Sequence, residues 1–267
     1  MATDYSAYRR IRAERNGRIL TLTLNRPERQ NAVDGEMQAE LASIFGDANL
    51  DPDCDVVVLT GAGEHFCAGG DIGWLKDVTD PQKTPGGPST VDGKRVVFGL
   101  LDLEKPIIAK VRGSCVGLGA TVALFCDVIV AADNAKIGDP HVRIGLSAGD
   151  GGAVIWPQLV GYAKAKELLM TGDLLGAHEA ERIGLINHVV PAAELDARVD
   201  ALAKRLASGA TQAIRFTKVC ANIGLKMVAQ AVMDASVAYE TMTFHTRDHA
   251  EAVNAFLEKR RPQFTGG

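Results

Sequence analysis

The chain contains 267 residues, of which 46% are hydrophobic and 23% are charged. This composition is typical of a globular protein and excludes disordered, collagen-like and disulfide-rich classes. The 29 basic and 33 acidic residues give a net charge of -4, and aromatic residues make up only 5% of the chain. Because binding to nucleic acid depends on a positive surface and, for single strands, on aromatic stacking, we expect no nucleic-acid partner.

Cysteine usage and hydropathy indicate the compartment. The five cysteines are scattered without a C-x-x-C pair, so neither a zinc site nor a disulfide framework is expected. Residues 1–18 contain no apolar segment of the kind that a signal peptide requires. The longest uncharged stretch, residues 113–126, is too short to cross a bilayer. We therefore predict a cytoplasmic protein with no metal site and no membrane partner.

Strand and helix patterns alternate along the first part of the chain. Residues 19–25 alternate leucine with threonine, which is typical of a strand, and Asp34 precedes a pattern that predicts a capped helix. Further strands are predicted over residues 56–60, 106–111 and 128–132, and a further helix over residues 120–125. Residues 77–92 are polar and rich in proline and glycine, which predicts a mobile surface loop able to act as a lid.

From Ala163 onward the patterns become helical. Helices are predicted over residues 164–170, 177–183, 194–206, 212–220, 227–241 and 247–260. The architecture expected is an α/β core over residues 1–195, followed by a helical oligomerisation region over residues 196–267.

Two glycine-rich turns, each between a strand and a helix, carry the main chemical signal. They span Gly61–Asp71 and Gly113–Gly119. The dinucleotide fingerprint G-x-G-x-x-G fails in both, because its third glycine is replaced by Phe66 in one and by Val122 in the other. No P-loop lysine follows either turn. Two backbone N–H groups could instead converge on one developing oxyanion, and the alternative is a pair of tight turns without a ligand.

The order and spacing of several motifs resemble the crotonase (enoyl-CoA hydratase/isomerase) superfamily over nearly the whole chain. The matching segments are Asn25–Ala32, Gly61–Asp71, Lys105–Ala109, Gly113–Gly119, Cys126–Asp127, Leu169–Asp173, Ala180–Leu185 and Ala255–Arg261. The resemblance implies a spiral core of ββα turns, a helical C-terminal part, and a homotrimer or a dimer of trimers. It also implies an acyl-CoA thioester substrate, so coenzyme A would enter as part of the substrate and no separate cofactor is expected.

Residues of the implied site follow from the same resemblance. The backbone N–H groups of Gly70 and Leu118 correspond to the two donors that hold the thioester carbonyl oxygen. The positions matching the coenzyme A contacts are Arg29 and Ala32 along the nucleotide, Ala68 beside the pantetheine, and Lys259, which would come from a neighbouring subunit. The alternative for the two cations is a solvated surface charge.

The chain departs from the family pattern at both catalytic acids. The hydratases of the family use two glutamates, and the matching positions here are Thr121 and His141, the latter after Gly138-Asp-Pro140. Threonine is no general base near neutral pH, although its hydroxyl could orient water. His141 could act as the acid/base, with Asp150 as its orienting partner. The alternatives are a structural loop histidine and an aspartate that only caps the following helix.

The His141–Asp150 pair resembles the β-diketone hydrolases of the same superfamily, of the 6-oxocamphor hydrolase type. That match is partial. Those enzymes carry a histidine near the second oxyanion turn, whereas here that turn carries Leu118 and no histidine. They also carry an active-site tryptophan in an early helix, and neither Trp74 nor Trp156 lies in the corresponding helix. Three hypotheses therefore remain. The first is a hydratase-like lyase or isomerase of acyl-CoA metabolism. The second is a retro-Claisen hydrolase of a β-diketone or β-keto thioester, and the third is a non-catalytic binding protein.

Residues beside the first glycine turn have simpler interpretations. Glu64 and His65 are expected to be exposed. Cys67, like Cys115 in the second turn, is expected to be a small packing residue. Asp71 is expected to cap the helix that follows the turn.

Overall fold

The computed structural model describes residues 3–79, 82–83 and 91–267. The described strands are β1 (Ile11–Asn16), β2 (Ile19–Leu24), β3 (Val56–Gly61), β4 (Ile107–Val111), β5 (Ser114–Val116), β6 (Val128–Ala132), β7 (Lys136–Gly138), β8 (Leu175–Gly176) and β9 (His188–Val190). The described helices are α1 (Gly35–Leu50), α2 (Ile72–Thr79), α3 (Val91–Asp102), α4 (Leu118–Leu124), α5 (Gly152–Thr171), α6 (Ala177–Arg182), α7 (Leu195–Ala207), α8 (Thr211–Phe244) and α9 (Arg247–Leu257).

Two sheets organise the core. The larger has the order β1-β2-β3-β4-β6-β9, in which only the β1–β2 pair is antiparallel. The smaller has the order β5-β7-β8. The chain places one strand in each sheet and then turns into a helix, as in β4-β5-α4. This confirms the predicted α/β core of ββα turns.

Local chemistry explains why the early elements form where they do. All six residues of β3 are buried, because this strand lies inside the sheet with both faces covered. Helix α1 begins after Asp34, whose carboxylate accepts a 2.9 Å hydrogen bond from the N–H of Met37 as predicted. The sequence patterns did not indicate β1, an edge strand with a single buried residue, Ile11.

The C-terminal helices cover the core. Helix α7 buries Leu195, Val199 and Ala203 against β3, β4 and β6. Helix α8 is one continuous helix of 34 residues that packs on α3 and α5, so the prediction of two helices was wrong. The predicted break contains Gly224, whose cost in a helix is only about 1 kcal/mol and is offset by packing on both sides. The division at residues 195/196 falls where α7 begins and stays a prediction.

Helices occupy both ends of the predicted loop over residues 77–92. Helix α2 continues to Thr79, and α3 begins at Val91 and buries Val96 and Leu100. Residues 80–81 and 84–90, which make up most of the predicted lid, lie outside the described residues. Among the helices that the structure describes, none combines the length and apolar character needed to cross a lipid bilayer.

Candidate active site

Backbone pairing brings the two glycine-rich turns side by side. The N–H groups of Phe66 and Cys67 donate to the carbonyls of Arg112 and Ser114, each at 2.8 Å, and the N–H of Val116 returns to the carbonyl of Cys67 at 2.9 Å. The first turn therefore runs along β5 like an additional short strand. Each turn leads into a helix, the first into α2 and the second into α4.

Glycines make the close approach of the two turns possible. Gly69 and Gly117 both have positive φ, at 87° and 56°. A side chain at Gly69 would lie 3.1 Å from the carbonyl oxygen of Val116, and one at Gly117 would contact the Cα of Gly69 at 3.6 Å. The residues that follow these glycines are Gly70 and Leu118. Within the part of the chain that the structure describes, neither of their N–H groups donates to another group.

Gly70 and Leu118 line one small, mostly apolar cavity. Its other walls come from Val33, Gln38, Trp74, Leu75, Gly93, His141, Ile144, Leu146, Asp150, Glu240 and Phe244, and its volume is about 60 Å³. A larger cleft of about 630 Å³ adjoins it at Gly70 and His141. The two predicted oxyanion donors therefore lie where a large outer cleft meets a small inner cavity.

The second sheet carries His141 to this junction. The N–H of Gly117 donates to the carbonyl of Gly138 at the end of β7, at 3.0 Å. Asp139 and Pro140 then lead into a short 3-10 helix that begins with His141. The His141 ring lies against the second turn, because a side chain at Gly117 would contact its Cε1 at 3.7 Å. The second glycine-rich turn and His141 thus form adjacent parts of the cavity wall.

His141 lies between two aspartates. Its Nδ1 is hydrogen-bonded to Oδ1 of Asp139, and its Nε2 lies 3.3 Å from Oδ2 of Asp150. The sequence predicted Asp150 as the orienting partner of His141. The structure brings the two together but adds Asp139 on the other ring nitrogen. Asp139 lies in the quoted Gly-Asp-Pro motif, and its position two residues before His141 was the signal that could have found it.

Asp150 is held from several sides. Thr121 donates a 3.0 Å hydrogen bond to its Oδ1, and the backbone N–H of Gly152 also bonds to its carboxylate at the start of α5. The carboxylate therefore lies at the start of α5 and faces His141 as well. Thr121 is fully buried and is not among the residues lining the two cavities, so the structure places its hydroxyl on Asp150.

Burial and neighbouring charges shift the pKa values of three groups that line the cavity. Burial alone would lower the pKa of His141, but the charges of Asp139 and Asp150 outweigh it and raise that pKa well above its ordinary value. Burial would raise the pKa of Asp150, but His141 and the hydrogen bond from Thr121 hold it below its usual range. A third carboxyl, Glu240, behaves in the opposite way, because burial raises its pKa to about 8.

Glu240 is the cavity residue that sequence reasoning missed. It lies near the end of α8, 99 positions after His141, and its Oε1 is 4.0 Å from Nε2 of His141. It belongs to none of the motifs that carry the resemblance. No local pattern in a long helix separates a glutamate that faces solvent from one that faces a cavity, so only the packing of α8 reveals it.

The two aspartates and His141 also form a group that could be considered for a metal ion. Asp139, His141 and Asp150 each offer a ligand atom, and these atoms lie within 4.8 Å of one another. The two ring nitrogens of a histidine point in different directions, however, and each already faces its own carboxylate. One metal ion cannot bind both ring nitrogens, so it cannot replace both the contact with Asp139 and the contact with Asp150. The arrangement suits protons shared along the side chains better than a single metal.

The residues predicted to contact coenzyme A lie around the larger cleft. Arg29, Ala32 and Ala68 all line it, and Arg29 is exposed. Lys259 is exposed and follows Phe256 and Leu257, which line the same cleft in this chain. Its own side chain is not among the lining residues.

The remaining expectations near the first turn have mixed outcomes. His65 is half-buried rather than exposed, because its Nδ1 accepts a 3.0 Å hydrogen bond from the N–H of Ser114 and ties the two turns together. Asp71 accepts from the N–H groups of Gly73 and Trp74 at 2.9 and 3.2 Å, which confirms its role as a helix cap. Cys67 is buried as predicted, and burial raises the pKa of its thiol to about 12.

Comparisons with known proteins agree with this architecture. The profile of the family described as Enoyl-CoA hydratase/isomerase matches residues 14–267. The chain is 36% identical over 259 residues to a crotonyl-CoA hydratase of Syntrophomonas wolfei, covering 97% of this chain and 98% of that protein. It is also 36% identical over 255 residues to the 1,2-epoxyphenylacetyl-CoA isomerase of Escherichia coli, covering 93% and 95% of the two proteins.

Solved structures show the same relationship. A crystal structure of an enoyl-CoA hydratase/isomerase from Mycobacterium paratuberculosis has a TM-score of 0.87 and 34% identity, covering 92% of this chain and 97% of that one. The fold is thus that of the crotonases, as predicted. The chain belongs to the enoyl-CoA hydratase/isomerase family and is an enzyme of that family.

Proposed function

We propose that this enzyme is a lyase that adds water across the double bond of a 2-enoyl-CoA thioester. The observation that carries the proposal is the pair of N–H groups, from Gly70 and Leu118, that have no partner among the described residues and line a cavity shared with His141 and Asp150. Relatives named crotonyl-CoA hydratase and short-chain-enoyl-CoA hydratase support this substrate class.

The two N–H groups would stabilise the charge that develops on the thioester oxygen. Attack of water on the β-carbon moves electrons onto that oxygen and gives an enolate. Donors that are already held in place need no reorganisation at that moment, and each contributes roughly 3 kcal/mol to the stabilisation of the transition state. The rigid pairing of the two turns, built on Gly69 and Gly117, provides this preorganisation.

Asp150 and His141 would manage the water. The Asp150 carboxylate is fixed by Thr121, by His141 and by the Gly152 N–H, and it lines the cavity. A water bound to it would lose its proton to the coupled Asp150–His141 pair as the carbon–oxygen bond forms. Asp139 holds the ring from the other side and stabilises the imidazolium, as an orienting carboxylate does for a catalytic histidine.

The larger cleft would hold the coenzyme A portion of the substrate. Arg29 is an exposed cation at its rim, and Ala32 and Ala68 offer backbone close to the path between the cleft and the oxyanion donors. Lys259 of a neighbouring subunit would complete the phosphate contacts in a homotrimer or a dimer of trimers. Coenzyme A is then part of the substrate, and the reaction needs no separate cofactor.

The second candidate is carbon–carbon bond hydrolysis of a β-diketone or β-keto thioester. The Asp150 carboxylate, which is held by Thr121 and His141, favours it, because a carboxylate so placed can take the proton of a water that attacks a carbonyl. The enolate released by the cleavage would occupy the same oxyanion donors. A non-catalytic role is disfavoured, because donors, acid/base groups and cavity are all present together.

Turnover of crotonyl-CoA by the wild type and by His141→Ala tests the proposal, and the small inner cavity is the reason for using a short acyl chain. We expect hydration in the wild type and a loss of at least 100-fold in His141→Ala, since general acid–base groups typically contribute about 10²–10⁴-fold. His178→Ala, at an exposed histidine, is the matched control. Hydration that survives in His141→Ala would refute the acid/base assignment. Cleavage of β-diketones or β-keto thioesters without hydration would establish the second candidate, and no turnover of either class would refute both candidates.

A further inference from the structure

Glu240 occupies an unusual position for a glutamate. Its side chain is 9% exposed and lines the inner cavity together with Gly70 and Leu118. Its carboxyl group makes no hydrogen bond to any residue that the structure describes, and Nε2 of His141 lies 4.0 Å from Oε1. A buried carboxyl without a hydrogen-bond partner is costly unless it stays neutral or serves a ligand.

The packing around Glu240 fixes it at the cavity. The segment before α5 runs along α8, where the N–H of Ser147 donates a 3.2 Å hydrogen bond to the hydroxyl of Thr243. Gly149 touches Glu240 itself, because a side chain at position 149 would lie 2.3 Å from its Cβ and 2.8 Å from its Oε2. Glycine at this position therefore allows α8 to come close enough for Glu240 to reach the site.

The charged groups facing Glu240 come from the loop and short helix that carry Asp139, His141 and Asp150. Burial raises the pKa of Glu240, the two aspartates raise it further, and His141 opposes them. Asp150 stays ionised beside it, because His141 and Thr121 support its charge. Near neutral pH the cavity thus holds one ionised and one protonated carboxyl. Two carboxyls driven apart in this way are typical of an acid/base pair.

We propose that Glu240 is the second acid of the hydration reaction and donates its proton to the α-carbon of the substrate. This proposal rests on the hydratase function proposed above. The water oxygen bonds to the β-carbon, its proton passes to the Asp150–His141 pair, and the electrons of the double bond move into the thioester enolate held by Gly70 and Leu118. The enolate then takes the proton of Glu240 at the α-carbon, which restores the thioester carbonyl. One water has been added in total.

His141 is placed to reset the two carboxyls. Its Nε2 lies 3.3 Å from Asp150 and 4.0 Å from Glu240. The proton taken from water can therefore return through the imidazole to the Glu240 carboxylate before the next turnover. The chain would thus regain, from α8, the second carboxyl that it lacks at positions 121 and 141, where the family pattern has glutamates.

The test compares Glu240→Gln with the wild type on crotonyl-CoA across pH. We expect kcat to fall at least 100-fold while KM changes by less than about threefold, because the amide keeps the shape but cannot supply a proton of comparable acidity. We also expect kcat of the wild type to decline as pH rises through about 8, where Glu240 loses its proton, and this decline to be absent from the residual activity of Glu240→Gln. Asp234→Asn removes an exposed carboxylate from the same helix and should leave both parameters unchanged.

A Glu240→Gln enzyme with wild-type kcat and the same decline above pH 8 would overturn the proposal and leave the hydratase function intact. A parallel fall in kcat and a large rise in KM would also overturn it, since that pattern indicates a binding role. If the wild type hydrates no enoyl-CoA thioester, the function and the role of Glu240 fail together. Retained near-ultraviolet circular dichroism in the variant excludes misfolding as the cause of a loss.

Discussion

Thr121 donates a 3.0 Å hydrogen bond to Asp150, from the helix position at which the family resemblance implies a glutamate. The chain therefore has no carboxylate at position 121 itself, but it brings one to that side chain from the segment before α5. The threonine hydroxyl supports the charge of Asp150 and lowers its pKa together with His141. Under the proposed function, the acid/base groups have been rearranged rather than lost.

Replacing Thr121 with valine removes this donor and preserves the side-chain shape. A hydrogen bond to a charged group contributes about 1.5–3 kcal/mol, so we expect kcat to fall roughly tenfold or more when Asp150 loses it. Thr121→Ser keeps the hydroxyl and should retain most of the activity. Steady-state kinetics on crotonyl-CoA decide the matter. Equal activities of the valine and serine variants would show that the bond does not support the reaction.

The raised pKa of Glu240 predicts how stability depends on pH. The folded protein keeps this proton up to about pH 8, because burial raises the pKa of Glu240, whereas the unfolded chain releases it near the ordinary glutamate pKa of 4.5. Between these values the folded state binds more protons than the unfolded state, so the Glu240 contribution to the free energy of unfolding falls as pH rises. Glutamine does not titrate, so it makes no pH-dependent contribution of this kind. The melting temperature of Glu240→Gln minus that of the wild type should therefore increase from about pH 5 to pH 8. A difference in melting temperature that stays constant with pH would contradict the buried, protonated state of Glu240.

Cysteine reactivity provides a separate check on the packing. Cys54, Cys67, Cys115 and Cys126 are buried, and burial raises the pKa of each thiol, whereas Cys220 is exposed. Because the thiolate is the reactive species, the native protein should be modified at one cysteine by a thiol reagent at neutral pH. Mass spectrometry of the labelled protein should place the modification on Cys220. Rapid labelling of Cys67 or Cys115 would show that the two glycine turns open in solution.

Lys218 joins α8 to the core. Its ammonium lies 2.8 Å from Asp127 and donates to the carbonyl of Lys105 at 2.9 Å. Lys218→Met would leave the half-buried Asp127 without its ion-pair partner. Losing one partner of a fully buried pair costs about 3–5 kcal/mol, so we expect a loss of roughly 2 kcal/mol here. Denaturant unfolding at fixed protein concentration measures the change. Arg182→Met, in an exposed ion pair with Glu179, should have no measurable effect, and equal effects of the two variants would contradict the structural role of the buried pair.

Local sequence signals predicted the parts of the structure that depend on local chemistry. The buried strand β3, the Asp34 cap and the Asp71 cap each follow from a few adjacent residues. The positions of Gly70 and Leu118 were predicted from glycine turns and family motifs, and the structure brings them to one cavity.

Other features depend on contacts between distant parts of the chain. Glu240 reaches the cavity only because α8 crosses the core and Gly149 leaves room for it. His65 becomes half-buried through its bond to Ser114, 49 positions away. Helix α8 is also longer than either helix predicted from the sequence, because its packing on α3 and α5 outweighs the cost of Gly224. Such features could not be predicted from periodicity or spacing.

The central claim is that the backbone N–H of Leu118 stabilises the thioester enolate, and Leu118→Pro tests it most directly. Leu118 is the first residue of α4, a position that accepts proline because its N–H makes no bond within the helix. Leu118→Ala is the matched control, since it removes the side chain from the cavity and keeps the N–H. We predict that kcat for crotonyl-CoA falls about 10²–10³-fold in the proline variant and less than tenfold in the alanine variant. A folded proline variant as active as the alanine variant would contradict the claim.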